Sequence, residues 1–158
     1  MSRVSGLIDA YRAELSLTWN DNLSGGERVW MLVYPPELER SIRHAMPSLE
    51  LVTTQAGRGW VVVDVTNDFG QWLASHKYAE SFFEEPRDLT QAILDQFERR
   101  LVERIRSELD EAPDGSVVAL VGIGSIFPFL RAPSVITSID SAVKGRLLVL
   151  FPGLHAPE

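Results

Sequence analysis

Apolar residues along this chain fall into two kinds of spacing. Four short runs, residues 29–33, 60–65, 117–121 and 147–151, are almost continuously apolar. Between them, apolar positions recur every three or four residues. Continuous apolar runs of strand length suit strands buried on both faces, and helical spacing between them supplies the covering layers. The pattern predicts an α/β fold: a mostly parallel sheet of about four strands with helices on both faces, Rossmann-like in outline.

The helical segments differ in clarity. Leu7, Ile8, Tyr11 and Leu15 mark an amphipathic helix over 5–17, followed by a loop of turn-forming residues over 20–26. Tyr34-Pro35-Pro36 ends the first strand, and its prolines suit the first turn of a helix over 36–44. Residues 47–56 are ambiguous. Leu49, Leu51 and Thr53 alternate like a strand, whereas Leu49, Val52 and Ala56 share a helical face. Helix is preferred, because it completes a strand–helix–strand crossover. Thr66-Asn67-Asp68 offers caps for a helix carrying Phe69, Trp72 and Leu73, with a looser helical stretch from Tyr78 to Phe83. After Pro86, Asp88 and Gln91 form a capping-box pattern. Leu89, Ile93, Leu94, Phe97, Leu101, Ile105 and Leu109 then hold one face of a long helix. Its charged face is expected to be solvated, with ion pairs inside the helix. Asp114-Gly115 makes a turn, a short helix spans 134–143, and Pro152-Gly153 stops the last strand. The chain reads as one domain over 1–158, with 1–26 packed on it as a helix and loop and 154–158 as a short tail.

Composition narrows the chemistry. A length of 158 residues suits a single core. There is no cysteine, so disulfides, thiolate nucleophiles and Cys-based metal centres are excluded. The three histidines, His44, His76 and His155, lack ligand-like spacing. No stretch approaches the roughly 20 apolar residues that span a bilayer. Asp9 interrupts the N-terminal segment too early for a signal peptide. A cytoplasmic protein is expected. The formal charge of −7 works against direct nucleic-acid binding, which needs clustered Lys and Arg.

Few residues point to a reaction. Gly122-Ile-Gly124 follows a strand, as a phosphate loop would, but Phe127 stands where the dinucleotide pattern needs its third glycine. Ser125 lacks the Gly-x-Ser-x-Gly context of a hydrolase, and capping of its own turn is the simpler role. Strand carboxyl ends gather at one edge of a parallel sheet, so Tyr34, Asp64, Asp68 and Ser125 are candidates for one crevice. Carboxylates there suit helix capping better than a metal. Arg131, after two aromatics and a proline, is either solvated or part of an ion pair. Trp19, in a polar loop, is the tryptophan to test at an interface. No catalytic residue, metal or cofactor is expected.

Two runs carry a resemblance. Gly122-Ile-Gly-Ser-Ile-Phe-Pro-Phe-Leu-Arg131, continued by Ala132-Pro-Ser-Val-Ile, and Arg146-Leu-Leu-Val-Leu-Phe-Pro-Gly153 resemble the BrxB family of BREX bacteriophage-exclusion systems. Val33-Tyr34-Pro35-Pro36 looks like that family's first strand end, and Pro133 stands where the family carries histidine. The resemblance implies an accessory, non-enzymatic role in anti-phage defence. It also implies association with a PglZ-like protein of the alkaline-phosphatase superfamily and with other BREX components. Gly122, Gly124, Pro128, Arg131, Pro152 and Gly153 match the signature. With the residues above, the expected binding set is Trp19, Tyr34, Gly122, Gly124, Ser125, Phe127, Pro128, Phe129 and Arg131. The alternative is a small-ligand or nucleotide-binding domain that uses the crevice at Gly122 to Ser125.

Overall fold

Strands β3 (Val117–Val121) and β4 (Arg146–Pro152) carry apolar side chains towards both faces, which leaves neither face free for water. In the computed structural model, which describes residues 2–20, 22–76, 84–85, 90–126 and 130–153, they form the centre of one sheet. β1 (Val29–Tyr34) and β2 (Trp60–Asp64) are its edges, in the order β1-β4-β3-β2. All three pairings are parallel, with Val29 opposite Leu147, Arg146 opposite Val117, and Val117 opposite Trp60. The predicted fold class is the observed one.

Two helical layers exclude water from the sheet. Helices α1 (Arg3–Leu15), α2 (Glu39–His44) and α3 (Met46–Gln55) meet Leu32, Tyr34, Ala119, Val121, Leu148 and Leu150 on one face. Helices α4 (Asp68–Ser75), α5 (Gln91–Glu111) and α6 (Ala132–Ile139) meet Val63, Val118, Leu120, Leu147 and Val149 on the other. The β1-to-β2 connection crosses the sheet in one direction beneath α2 and α3. The chain then steps back from β2 to β3 to β4 through helices on the opposite face. Reversing direction and face together keeps one hand of crossover throughout, as in doubly wound sheets.

Residues 46–55 are helical, and Thr53 shows why a polar residue lies on the buried face. It is fully buried, its hydroxyl donates to the Leu49 carbonyl at 2.7 Å, and its oxygen lies 2.5 Å from the Tyr11 hydroxyl. That pair ties α1 to α3. The long helix buries Phe97, Leu101, Ile105 and Leu109, each at most 1% exposed.

Several local expectations need correction. The long helix starts at Gln91 and is capped by Thr90, whose hydroxyl accepts from the Ile93 amide at 3.3 Å. Gln91 is therefore the first helical residue. Asp88 and Leu89, like the stretch Tyr78 to Phe83, lie outside the described residues. Several charged side chains of α5 reach to its neighbours, while Arg99, Arg100 and Glu103 are exposed, as a solvated face requires. Arg104 bonds Asp68, Arg106 bonds the Ser138 carbonyl, and Glu98 accepts from Ser134. The helix after Pro35 begins as a 3₁₀ turn, and α6 starts two residues early, with Pro133 in its first turn. Pro152 remains in β4 because, in the alternating parallel ladder, its missing amide hydrogen would point towards β3, whose pairing ends at Val149. Among the described residues no helix is long and apolar enough to cross a membrane.

Burial raises the Tyr11 hydroxyl from 10.0 to about 12, against the opposing hydrogen bond to Thr53. A raised folded value contributes stability that is whole below pH 10 and lost as the pH climbs towards 12. Tyr11→Phe should lower unfolding free energy by about 0.5–1.5 kcal/mol and flatten the alkaline limb of the stability profile, as read by urea denaturation from pH 8 to 12.

Candidate functional site

All four strands point their carboxyl ends at one rim, and the loops leaving them enclose a cleft of about 390 Å³. Pro36 and Arg43 come from the β1 exit, Thr66 from β2, Gly122 and Ser125 from β3, and Pro152 from β4. Ligands of open α/β sheets bind at this edge.

A hydrogen-bonded chain spans the rim from one sheet edge to the other. The Tyr34 hydroxyl, in a side chain 2% exposed, donates to the Glu39 carboxylate. Arg43 donates through Nε to Glu39 at 3.2 Å, through Nη1 to Asp64 at 3.0 Å, and through Nη2 to the Thr66 hydroxyl at 2.6 Å. Thr66 in turn donates its hydroxyl and its amide to Asp64, at 2.5 and 2.9 Å. Burial and the neighbouring Glu39 carboxylate raise the Tyr34 hydroxyl far above its ordinary range. Burial alone would raise the Asp64 carboxyl, but the Thr66 hydrogen bonds and the Arg43 guanidinium together hold it below the ordinary carboxylate range. One guanidinium thus serves two carboxylates, and the local sum is one negative charge.

Two glycines shape the floor. Gly122 has φ +90°, and a Cβ there would lie 2.3 Å from the Thr66 hydroxyl oxygen. The β3 exit therefore rests directly on the β2 exit. At Gly124 a Cβ would meet the Pro152 ring at 2.8 Å. Ser125 donates its hydroxyl to the Gly122 carbonyl at 2.7 Å, so it closes its own turn. That turn is a four-residue 3₁₀ segment, Ile123–Ile126, and offers no α-helix N-terminus to an anion.

The predicted residues divide between this rim and other places. Tyr34, Asp64, Gly122, Gly124 and Ser125 come together. Asp68 does not join them. It turns to Arg104, whose Nη1 lies 2.7 and 2.6 Å from its two carboxylate oxygens. Arg131 is exposed just before α6, and its carbonyl accepts the Ser134 amide at 3.1 Å. Phe127, Pro128 and Phe129 lie outside the described residues; Ile126 and Leu130 on either side of them are buried. Trp19 is at the opposite end of the molecule, half-buried, with Arg58 3.5 Å over its ring, Arg146 at 4.5 Å, and Trp30 edge-on at 6.0 Å. Sequence reading missed Glu39, Arg43 and Thr66. The four-residue spacing of Glu39 and Arg43 was the available signal, since such pairs meet on a helix. Among the described residues no group of three acidic or histidine side chains could hold a metal ion.

Replacing Gly122 should open the rim from below. Gly122→Ala must strain a left-handed backbone and push Thr66 aside, so it should lower unfolding free energy by at least about 1–3 kcal/mol in chemical denaturation. Gly6→Ala, in open space on α1, should not.

The rim loop and the last strand also carry the similarity to known proteins. The family model described as BREX protein BrxB matches residues 62–156, well over half of the chain, from β2 to just beyond β4. No curated protein and no solved structure matches it. A match of that extent, over β2, β3, β4 and the glycine loop, places the chain in the BrxB family of BREX proteins.

Proposed function

We propose that this BREX component works as a non-enzymatic adaptor that binds a PglZ-like protein of the alkaline-phosphatase superfamily. One observation carries the reading. The polar side chains of the rim are satisfied by one another: Tyr34 by Glu39, Glu39 and Asp64 by Arg43, Thr66 by Asp64, and Ser125 by a backbone carbonyl. A general base or nucleophile needs a group with its proton or lone pair available to a substrate. What the rim presents instead is a fixed contour. The binding surface in this proposal runs from Tyr34 and Gly122–Ser125 to Phe127, Pro128, Phe129 and Arg131, with Trp19 at the opposite end as a separate contact.

The cleft also favours a second reading, a small-ligand or nucleotide site. Its volume is adequate for a small molecule. A phosphate there would face the Glu39 carboxylate, and the Arg43 guanidinium beside it is already shared with Asp64, which weighs against an anionic ligand.

The two readings separate experimentally. Arg131 lies on the surface, so Arg131→Glu should leave the thermal melt unchanged and weaken co-purification with the PglZ-like component at least tenfold. Arg3→Glu on α1 should have no effect. Full retention of binding by Arg131→Glu and by alanine variants of Phe127 and Phe129 would remove the adaptor surface from this rim. In a thermal-shift assay with ATP and magnesium, no rise is expected. A ligand at 100 times its Kd adds about 2.7 kcal/mol, and a rise of that size would replace the adaptor reading with the nucleotide one.

A further inference from the structure

The two edges of the sheet are not alike. Successive residues of a strand turn their amide and carbonyl groups to opposite sides, so one ladder bond fixes the direction of all the others. In β2 the Gly59 carbonyl accepts from Val117 and the Val65 amide donates to Val121, both towards β3. Trp60, Val62 and Asp64 therefore face outwards, and the Asp64 carbonyl is occupied by Arg104 Nη2 at 3.3 Å. In β1 the Tyr34 carbonyl accepts from Gly153. That bond turns Tyr34, Leu32 and Trp30 towards β4, and Val29, Met31 and Val33 outwards. The Val29 amide is used by the Gly26 carbonyl. Among the described residues nothing meets the Val29 carbonyl or the amides and carbonyls of Met31 and Val33. A cleft of about 350 Å³, lined by Val29 to Leu32 and by Ala10 and Glu14 of α1, leaves this edge open. Sheet edges are commonly guarded by charges or proline, yet Val29–Tyr34 contains neither, and Met31 at its centre is 45% exposed.

We infer that this edge pairs with the same edge of a second copy of the chain, antiparallel about a two-fold axis at Met31. The order of residues selects that occupant. An isologous interface needs a patch that complements itself, and Val29-Trp-Met-Leu-Val33 is apolar throughout, with valine two places either side of its centre. Reversal about Met31 sets Met31 against Met31 of the second copy and Val29 against its Val33. The hydrogen bonds close in the same register. Met31 exchanges both of its outward bonds with its counterpart, and the Val33 amide donates to the Val29 carbonyl in each direction. Because the Val29 amide is already bonded, the Val33 carbonyl at the end of the seam is left to water. Charge agrees with this pairing. Each copy carries −7, and a seam without charged residues sets no like charges opposite one another. Two four-stranded sheets become one, with β2 at both outer edges. The inference does not depend on which partner the rim engages.

The test is sedimentation equilibrium of the full chain from about 10 to about 500 µM. A seam one strand pair wide is at the small end of specific interfaces, so the mass should climb from 17.7 kDa towards twice that value with a Kd of about 10–100 µM. Met31→Lys sets two ammonium groups against each other across the axis. It should raise that Kd at least about tenfold and leave the thermal melt unchanged. Val62→Lys, equally exposed on the other edge, should leave the Kd as it is. The chain has no cysteine, so one introduced thiol reports the register. Opposed residues of a hydrogen-bonded antiparallel pair have Cα atoms about 5.5 Å apart, within reach of a disulfide. Under mild oxidation Met31→Cys should form a covalent dimer at least about tenfold faster than Val62→Cys. A mass that stays at 17.7 kDa throughout would overturn the inference. So would a dimer that Met31→Lys leaves intact, or equal cross-linking of the two thiols.

Discussion

Two-sided burial of β3 and β4 is the constraint from which the architecture follows. Every residue of Val117–Val121 is buried, as are residues 146–150 of β4. A strand with no wet face must be covered above and below, so the chain has to deliver helices to both sides. It does so by crossing the sheet once, from β1 to β2, and returning one strand at a time beneath the opposite layer. Parallel strands joined this way all end at the same edge. The rim follows from the core.

What the rim becomes is decided by close approach. Gly122 lets the β3 exit lie against Thr66, and Gly124 lets it lie against Pro152. Arg43 then joins α2 to the β2 exit across this floor. The family match begins at residue 62, so β2, β3, β4 and the glycine loop lie within it, whereas Glu39 and Arg43 lie outside. The rim is therefore built from two parts of the chain. The matched part supplies the floor and its contour, and the earlier part supplies the charges that are satisfied against it.

The fold was legible because its signals are local. Runs of Val, Ile and Leu mark the strands, and the spacing of Phe97, Leu101, Ile105 and Leu109 marks the long helix. Strand order was not legible, since nothing near Val29 announces that its partner is Leu147. The helix at 46–55 was recoverable only through topology, because Thr53 on its buried face imitates strand alternation until the Tyr11 hydroxyl is seen beside it. At the rim, Tyr34, Asp64 and Ser125 come together, as the rule that strand ends converge leads one to expect. Asp68 was misplaced because its partner, Arg104, is 36 positions away on another helix. Arg43 was missed for the same reason: its role depends on Asp64 and Thr66, more than twenty residues downstream.

The neighbour relation between β1 and β4 also bears on assembly order. Among the described residues β1 pairs only with β4, across more than a hundred residues, whereas β2, β3 and β4 follow one another into adjacent positions. Closing such a long loop is slow and entropically unfavourable until most of the sheet exists to receive it. The strand from Val29 to Tyr34 therefore gains its ladder only once β4 is in place.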